Sequence, residues 1–149
     1  RCRGRPTAVS TYVDTSVLIK LVVNEPGTDA ATQIWEASDS VVSVALVQVE
    51  ARAALAGAAR AGRLSAAQHR TAKGSLAQLV DQLHLVEVTA GLVDQASDLA
   101  ETEALRGYDA VHLAGSLLVA VDVMASSDHD LCAAAERRGL MIANPTDGR

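Results

Sequence analysis

Short, continuously apolar segments rich in β-branched residues alternate along this 149-residue chain with longer stretches of helical period. Ser10 to Val13, Val41 to Val44, Leu85 to Val88, Val121 to Ala125 and Leu140 to Ile142 read as strands. Strands this apolar are buried on both faces, which is how parallel sheets are built. Parallel neighbours must be joined by long crossovers, and the helical stretches supply them. The pattern predicts an α/β fold. It is expected to be a three-layer α/β/α sandwich with a mostly parallel central sheet and right-handed crossovers.

The helices carry their own punctuation. Thr15 or Ser16 is expected to cap a short helix from Val17 to Val23, and Thr28 a second with Ala31, Ile34 and Trp35 on one face. Ala45 to Ala61 is Ala-rich and ends at Gly62. Ser65-Ala66-Ala67-Gln68 is a capping-box pattern. It opens a helix to about Leu83 with the stripe Ala72, Leu76, Leu79, Val80 and Leu83. Thr89 caps the next, with Leu92, Val93, Ala96, Leu99 and Ala100 inward and Gly107 as its end. Asp109 to Leu118 and Asp130 to Arg138 complete the set, the latter closed by Gly139.

At 49% hydrophobic, a chain of this length can bury a substantial core as one domain, expected over residues 10–146. Residues 1–9 read as a disordered basic arm, vector-derived or upstream of the domain; Arg1-Cys2-Arg3-Gly4-Arg5-Pro6 has no apolar h-region. No apolar run approaches the roughly 20 residues of a membrane span. Cys2 and Cys132 offer neither a disulfide framework nor zinc spacing, so a reducing cytoplasm is the simplest setting.

Net charge is −5, but its distribution matters more than its sum. Between Ala51 and Val80 there is no acid, while Arg52, Arg60, Arg63, Arg70 and Lys73 fall there. From Asp81 to Asp130 there are ten acids and one base, Arg106. The basic helical pair is either a solvated face or a contact for a polyanion. Aromatics at 2% with no Phe argue against a base-stacking platform, so any nucleic acid is expected to be held mainly by its backbone charge and shape.

Four acids stand where apolar segments give way to loops or helix starts: Asp14, Glu50, Asp109 and Asp128. Each has a plain alternative. Asp14, Asp109 and Asp128 fit helix caps, worth roughly 0.5–2 kcal/mol apiece, and Glu50 fits a solvated helix residue. Taken together, they fall near one rim, beyond the carboxyl ends of the strands, where open α/β sheets gather functional groups. Two carboxylates about 4 Å apart repel by about 4 kcal/mol at an effective dielectric near 20. Such a group must take up protons or bind a cation. Oxygen ligands favour Mg²⁺ or Mn²⁺, and that chemistry points to hydrolysis of a phosphodiester. Ser16 and Ser126 are expected to hydrogen-bond the carboxylates or a metal-bound water.

The other polar residues carry less. Asp130 is expected to cap a helix rather than join the site. His112 reads as a packed residue and His129 as a weak candidate for substrate contact. No nucleophile elbow and no phosphate-cradling Gly-rich loop is present.

Tyr12-Val13-Asp14-Thr15-Ser16-Val17-Leu18-Ile19-Lys20, Ser43 through Glu50-Ala51-Arg52, Gly107-Tyr108-Asp109-Ala110-Val111-His112-Leu113-Ala114 and Ser126-Ser127-Asp128-His129-Asp130-Leu131 come in a specific order. With Gly139-Leu140 and Asn144-Pro145, they resemble the PIN-domain ribonucleases, specifically the VapC toxins of type II toxin–antitoxin pairs. The resemblance implies an Mg²⁺- or Mn²⁺-dependent endoribonuclease that inhibits translation or growth. It also implies a homodimer, a cognate antitoxin, and heterotetrameric or larger complexes with it. The family's acidic quartet falls on Asp14, Glu50, Asp109 and Asp128, and its hydroxyl positions on Ser16 and Ser126, the latter commonly Thr.

Three rivals fit less well. A phosphatase with a nucleophilic Asp needs a second Asp where Ser16 stands. A phospho-accepting receiver domain needs a late-strand Lys, whereas Lys20 and Lys73 are the only lysines. A non-cleaving PIN-like module that binds RNA or protein has no use for an intact acidic quartet.

Overall fold

The computed structural model describes residues 8–147. Most of the expected basic arm therefore lies outside the described residues. Val9 is already held: its N–H donates to Asp39 Oδ2 and its carbonyl accepts from Asp39 and Ser40.

The described residues form five strands: β1 (Ser10–Val13), β2 (Ser40–Val44), β3 (His84–Val86), β4 (Val123–Ala125) and β5 (Met141–Ala143). All four neighbouring pairs are parallel, in the order β3-β2-β1-β4-β5. Receiver-type sheets run β2-β1-β3-β4-β5, so the topology excludes that rival. The chain moves outward from β1 through β2 to β3, then crosses back to lay β4 on the other side of β1. That reversal opens a crevice at the carboxyl ends of β1 and β4.

Side chains on a strand alternate between its faces, so the sheet buries two cores. Tyr12, Val42, Val44, Val86 and Met124 point into one, covered by α5 (Ala90–Thr102), α6 (Gly107–Leu118) and α7 (His129–Arg137). Val13, Val41 and Ala125 point into the other, under α1 (Thr15–Val22), α2 (Thr28–Ala37), α3 (Val47–Arg60) and α4 (Ala66–Gln82). The result is the expected three-layer α/β/α sandwich. Gly115 of α6 lies over the Tyr12 ring and Val44, where an added Cβ would meet them in ordinary contact at 3.4–3.8 Å.

Several local expectations are corrected at helix ends. Asp14, not Thr15 or Ser16, caps α1, accepting the Val17 N–H at 3.2 Å. Gly27 precedes α2 in the left-handed region, and the Thr28 hydroxyl instead spans the turn, accepting from Glu25 N–H and donating to the Val23 carbonyl. Gly107 does not end α5. Ala104, at φ 53°, makes the reversal, and Gly107 opens α6. Val93 faces solvent rather than the core. The Ser65–Gln68 capping box and the Thr89 cap form as expected. Among the described residues, no helix is long and apolar enough to cross a membrane.

Candidate active site

Register brings Asp14 beside the turn that carries Asp128. Val13 pairs with Ala125 across β1 and β4, so the next residues of each strand, Asp14 and Ser126, leave the sheet side by side. The Asp14 N–H donates to the Ala125 carbonyl at 3.2 Å, which fixes this exit.

Asp14 is nearly sealed, 5% exposed, yet its oxygens are well supplied. Ser16 donates its hydroxyl to Oδ1 and Ser126 donates to Oδ2, each at 2.5 Å. Each hydroxyl then accepts a backbone N–H from the turn after β4: Ser127 N–H on Ser16 at 3.0 Å and Asp128 N–H on Ser126 at 2.9 Å. The two serines thus tie Asp14 to the loop that carries Asp128. A carboxylate offers about four lone-pair sites. Ser16 and Val17 fill Oδ1, and Ser126 takes one site on Oδ2, so Oδ2 keeps one for an outside partner.

Asp128 caps α7 through Oδ1, which accepts the Leu131 N–H at 2.9 Å, and turns Oδ2 outward. Asp109 is not a cap; it lies in the first turn of α6 behind Arg106, which supplies no capping side chain. Arg106 connects the two acids. Its Nε donates to Asp109 Oδ2 and its Nη2 to Asp128 Oδ2, both at 3.0 Å. Burial holds the Asp109 carboxyl above the usual carboxylate range; the Arg106 hydrogen bond opposes this and the Asp128 charge adds to it.

Glu50, one turn into α3, is reached from below. Its Oε1 meets His112 Nε2 at 2.9 Å, and His112 Nδ1 meets the Tyr12 hydroxyl at 2.7 Å. Tyr12 also accepts the Val44 N–H at 3.1 Å, and burial pushes its ionisation far up, so it keeps its proton. As a carboxylate, Glu50 only accepts. In the neutral ring the imidazole proton therefore sits on Nε2, with Nδ1 accepting from Tyr12. His112 is buried, as expected of a packed residue, but it also orients Glu50, which sequence reasoning missed.

Three of the acids are thus chained at one end of the sheet, Asp14 to Asp128 through Ser126 and Asp128 to Asp109 through Arg106, while Glu50 is tied separately to α6 and β1 through His112 and Tyr12. Among the described residues, no three His, Cys, Asp or Glu side chains stand close enough to hold an ion as they lie. The donor set nonetheless fits a hard cation: oxygen ligands, a free lone pair on Asp14, and a guanidinium already drawn between two of the carboxylates. Thr15 Oγ1 and Ser127 Oγ, beside Asp14 and Asp128, are buried and find no protein partner, as suits a wet, polar site.

The remaining candidates make no side-chain hydrogen bond to the four acids among the described residues. Arg52, Arg60, Arg63 and Arg70 are exposed on α3, α4 and their connection, with Lys73 half-buried. His129 and Asp130 are exposed in the first turn of α7, and Asp128 rather than Asp130 is the cap. Cys132 is buried, with burial pushing its thiol up to about 11.

Comparison with known proteins agrees with this architecture. The PIN domain family profile matches residues 11–137. Ribonuclease VapC45 of Mycobacterium tuberculosis is 37% identical over 134 residues, covering 89% of this chain and 93% of the relative. Among solved structures, M. tuberculosis VapC20, described as a sarcin–ricin-loop-cleaving toxin, superposes with a TM-score of 0.66 at 21% identity, covering 83% of this chain and 94% of that one. A toxin–antitoxin complex from Klebsiella pneumoniae gives 0.58 at 16% identity, over 79% and 86% of the two chains. The chain belongs to the PIN-domain family and, within it, to the VapC ribonuclease toxins.

Proposed function

We propose that the chain is an Mg²⁺- or Mn²⁺-dependent endoribonuclease, the toxin of a toxin–antitoxin pair that inhibits translation or growth. The observation that carries this reading is the hydrogen-bonded chain of Asp14, Asp128 and Asp109 at the switch point of the sheet, with Asp14 gripped by two serines. Asp14, Asp109 and Asp128 would hold the ion. When bound, the ion supplies charge for the phosphoryl oxygens, acidity for a water and support for the leaving oxygen.

The chain's own residues do the rest. Ser16 and Ser126 keep Asp14 aimed at the crevice. Glu50, held at one oxygen by His112, keeps the other for the attacking water and takes its proton as the oxygen closes on phosphorus, while the bond from phosphorus to the leaving ribose oxygen breaks and that oxygen takes a proton from solvent. The exposed bases of α3 and α4 guide the RNA backbone or meet the antitoxin. With few aromatics to stack bases, the RNA is held mainly through its backbone charge, so affinity falls with added salt.

The homologous VapC proteins carry the name ribonuclease, which supports RNA as the substrate class. A homodimer and a cognate antitoxin, in a heterotetramer or larger assembly, follow from the same membership. Incubating the chain with RNA in Mg²⁺, in EDTA, and as Asp14→Asn tests the reaction. Cleavage is expected only for the unaltered chain with metal; cleavage by a folded Asp14→Asn protein at the same rate would refute it. Co-expression with the neighbouring upstream gene is expected to yield a complex with a small DNA-binding protein.

A further inference from the structure

The cation held by the acidic crevice belongs to the chain itself. Arg106 spans two carboxylates from different parts of the fold, Asp109 in α6 and Asp128 at the start of α7, with one nitrogen on each at 3.0 Å. The fork geometry of a guanidinium makes this possible, since a lysine ammonium is a single point charge. The side chain is 81% exposed, so it is held at its tip and open to exchange. It is also the sole base among ten acids between Asp81 and Asp130.

We propose that Arg106 exchanges with the divalent ion: it occupies the gap between Asp109 and Asp128 in the metal-free protein, and once displaced it holds the phosphate being cut. The inference rests on reading Asp109 and Asp128 as metal ligands. The physical case has two halves. A cation already paired with two ligands competes with any ion that needs them, and an exposed pair competes only weakly, so the ion can win. A displaced guanidinium stays tethered three residues from Asp109, beside the point where an anionic phosphate must approach the ion. Arginine recognises phosphate oxygens with the same fork that it now offers the two carboxylates.

Mn²⁺ titration by calorimetry, with no RNA present, tests the first half on the chain, Arg106→Gln and Arg106→Lys. Arg106→Gln is expected to bind Mn²⁺ about five- to tenfold tighter than the unaltered chain, with Arg106→Lys between them. Circular dichroism checks that each variant is folded, as an exposed position allows. At saturating Mn²⁺, Arg106→Gln is expected to raise KM for RNA about tenfold, with the loss falling more on KM than on kcat. Equal Mn²⁺ affinity in the unaltered chain and Arg106→Gln would overturn the exchange. Tighter Mn²⁺ binding with unchanged KM would overturn the phosphate role. Absence of Mn²⁺ binding by both would overturn the ligand reading itself, and the inference with it.

Discussion

Asp14 and Asp128 each use their oxygens for two purposes. One oxygen of each caps a helix, through Val17 N–H and Leu131 N–H, and the other is turned toward the crevice. The sequence presents capping and site as alternatives for these acids, and they turn out to be compatible. A cap fixes the carboxylate's direction, which is what a ligand needs. Ser126 adds the second constraint, linking Asp14 Oδ2 to the Asp128 backbone. Ser126→Ala is expected to weaken Mn²⁺ binding about 10- to 100-fold, measured by calorimetry, while Ser126→Thr retains it. Unchanged affinity in Ser126→Ala would mean that the hydroxyl does not orient the acid.

Asp109 sets a pH dependence at the same scale. Its carboxyl is held above the usual range, chiefly by burial. The folded protein therefore keeps that proton more tightly than the unfolded chain does. In the metal-free protein this acid contributes stability below its unfolded pKa, lost as pH rises through the folded one. Metal binding runs the other way, because the ion needs the ionised form. Mn²⁺ affinity is expected to begin falling on acidification at a pH above the ordinary range of an aspartate, traced by calorimetry across a pH series. A fall confined to the ordinary aspartate range would remove Asp109 from the ligand set.

Between elements, Glu103 makes a polar tie outside the acidic site. It accepts from Arg137 Nε at 2.8 Å and Arg138 Nε at 2.9 Å, joining the end of α5 to the end of α7. The two arginines hold its carboxyl below the usual range. With a depressed folded pKa, this stabilisation is present above the unfolded value and lost as pH falls through the folded one. Glu103→Ala is expected to lower Tm by about 2–4 °C at neutral pH, with the difference from the unaltered chain closing in acid. A Tm difference constant with pH would point to packing rather than charge.

What was legible at this scale follows from physics that acts locally. Val41 to Val44 announces a doubly buried strand by composition, and Ser65 to Gln68 announces a helix start through groups three residues apart. Helix ends were less legible. A glycine marks where the backbone is free to turn but not which helix owns it, and Gly107 opens α6 because the reversal after α5 is made at Ala104. The Glu50–His112–Tyr12 relay joins residues separated by 62 and 100 positions. No local pattern reveals it; only the packing of α6 on β1 does. Arg106 left one trace, its solitary charge three residues before Asp109.

Across the whole molecule, sheet order does the assembling. Because β4 returns to lie against β1, residues more than a hundred positions apart leave adjacent strands together, and α6 and α3 bring Asp109 and Glu50 to the same end. The central claim is that this convergence exists to hold a divalent ion for phosphodiester hydrolysis. The most direct measurement is an anomalous-difference map from crystals of the chain soaked in Mn²⁺. The account predicts a peak within about 2.0–2.2 Å of carboxylate oxygens of Asp14 and at least one of Asp109 and Asp128. A Mn²⁺-activated enzyme whose only peak lies away from these carboxylates would contradict it.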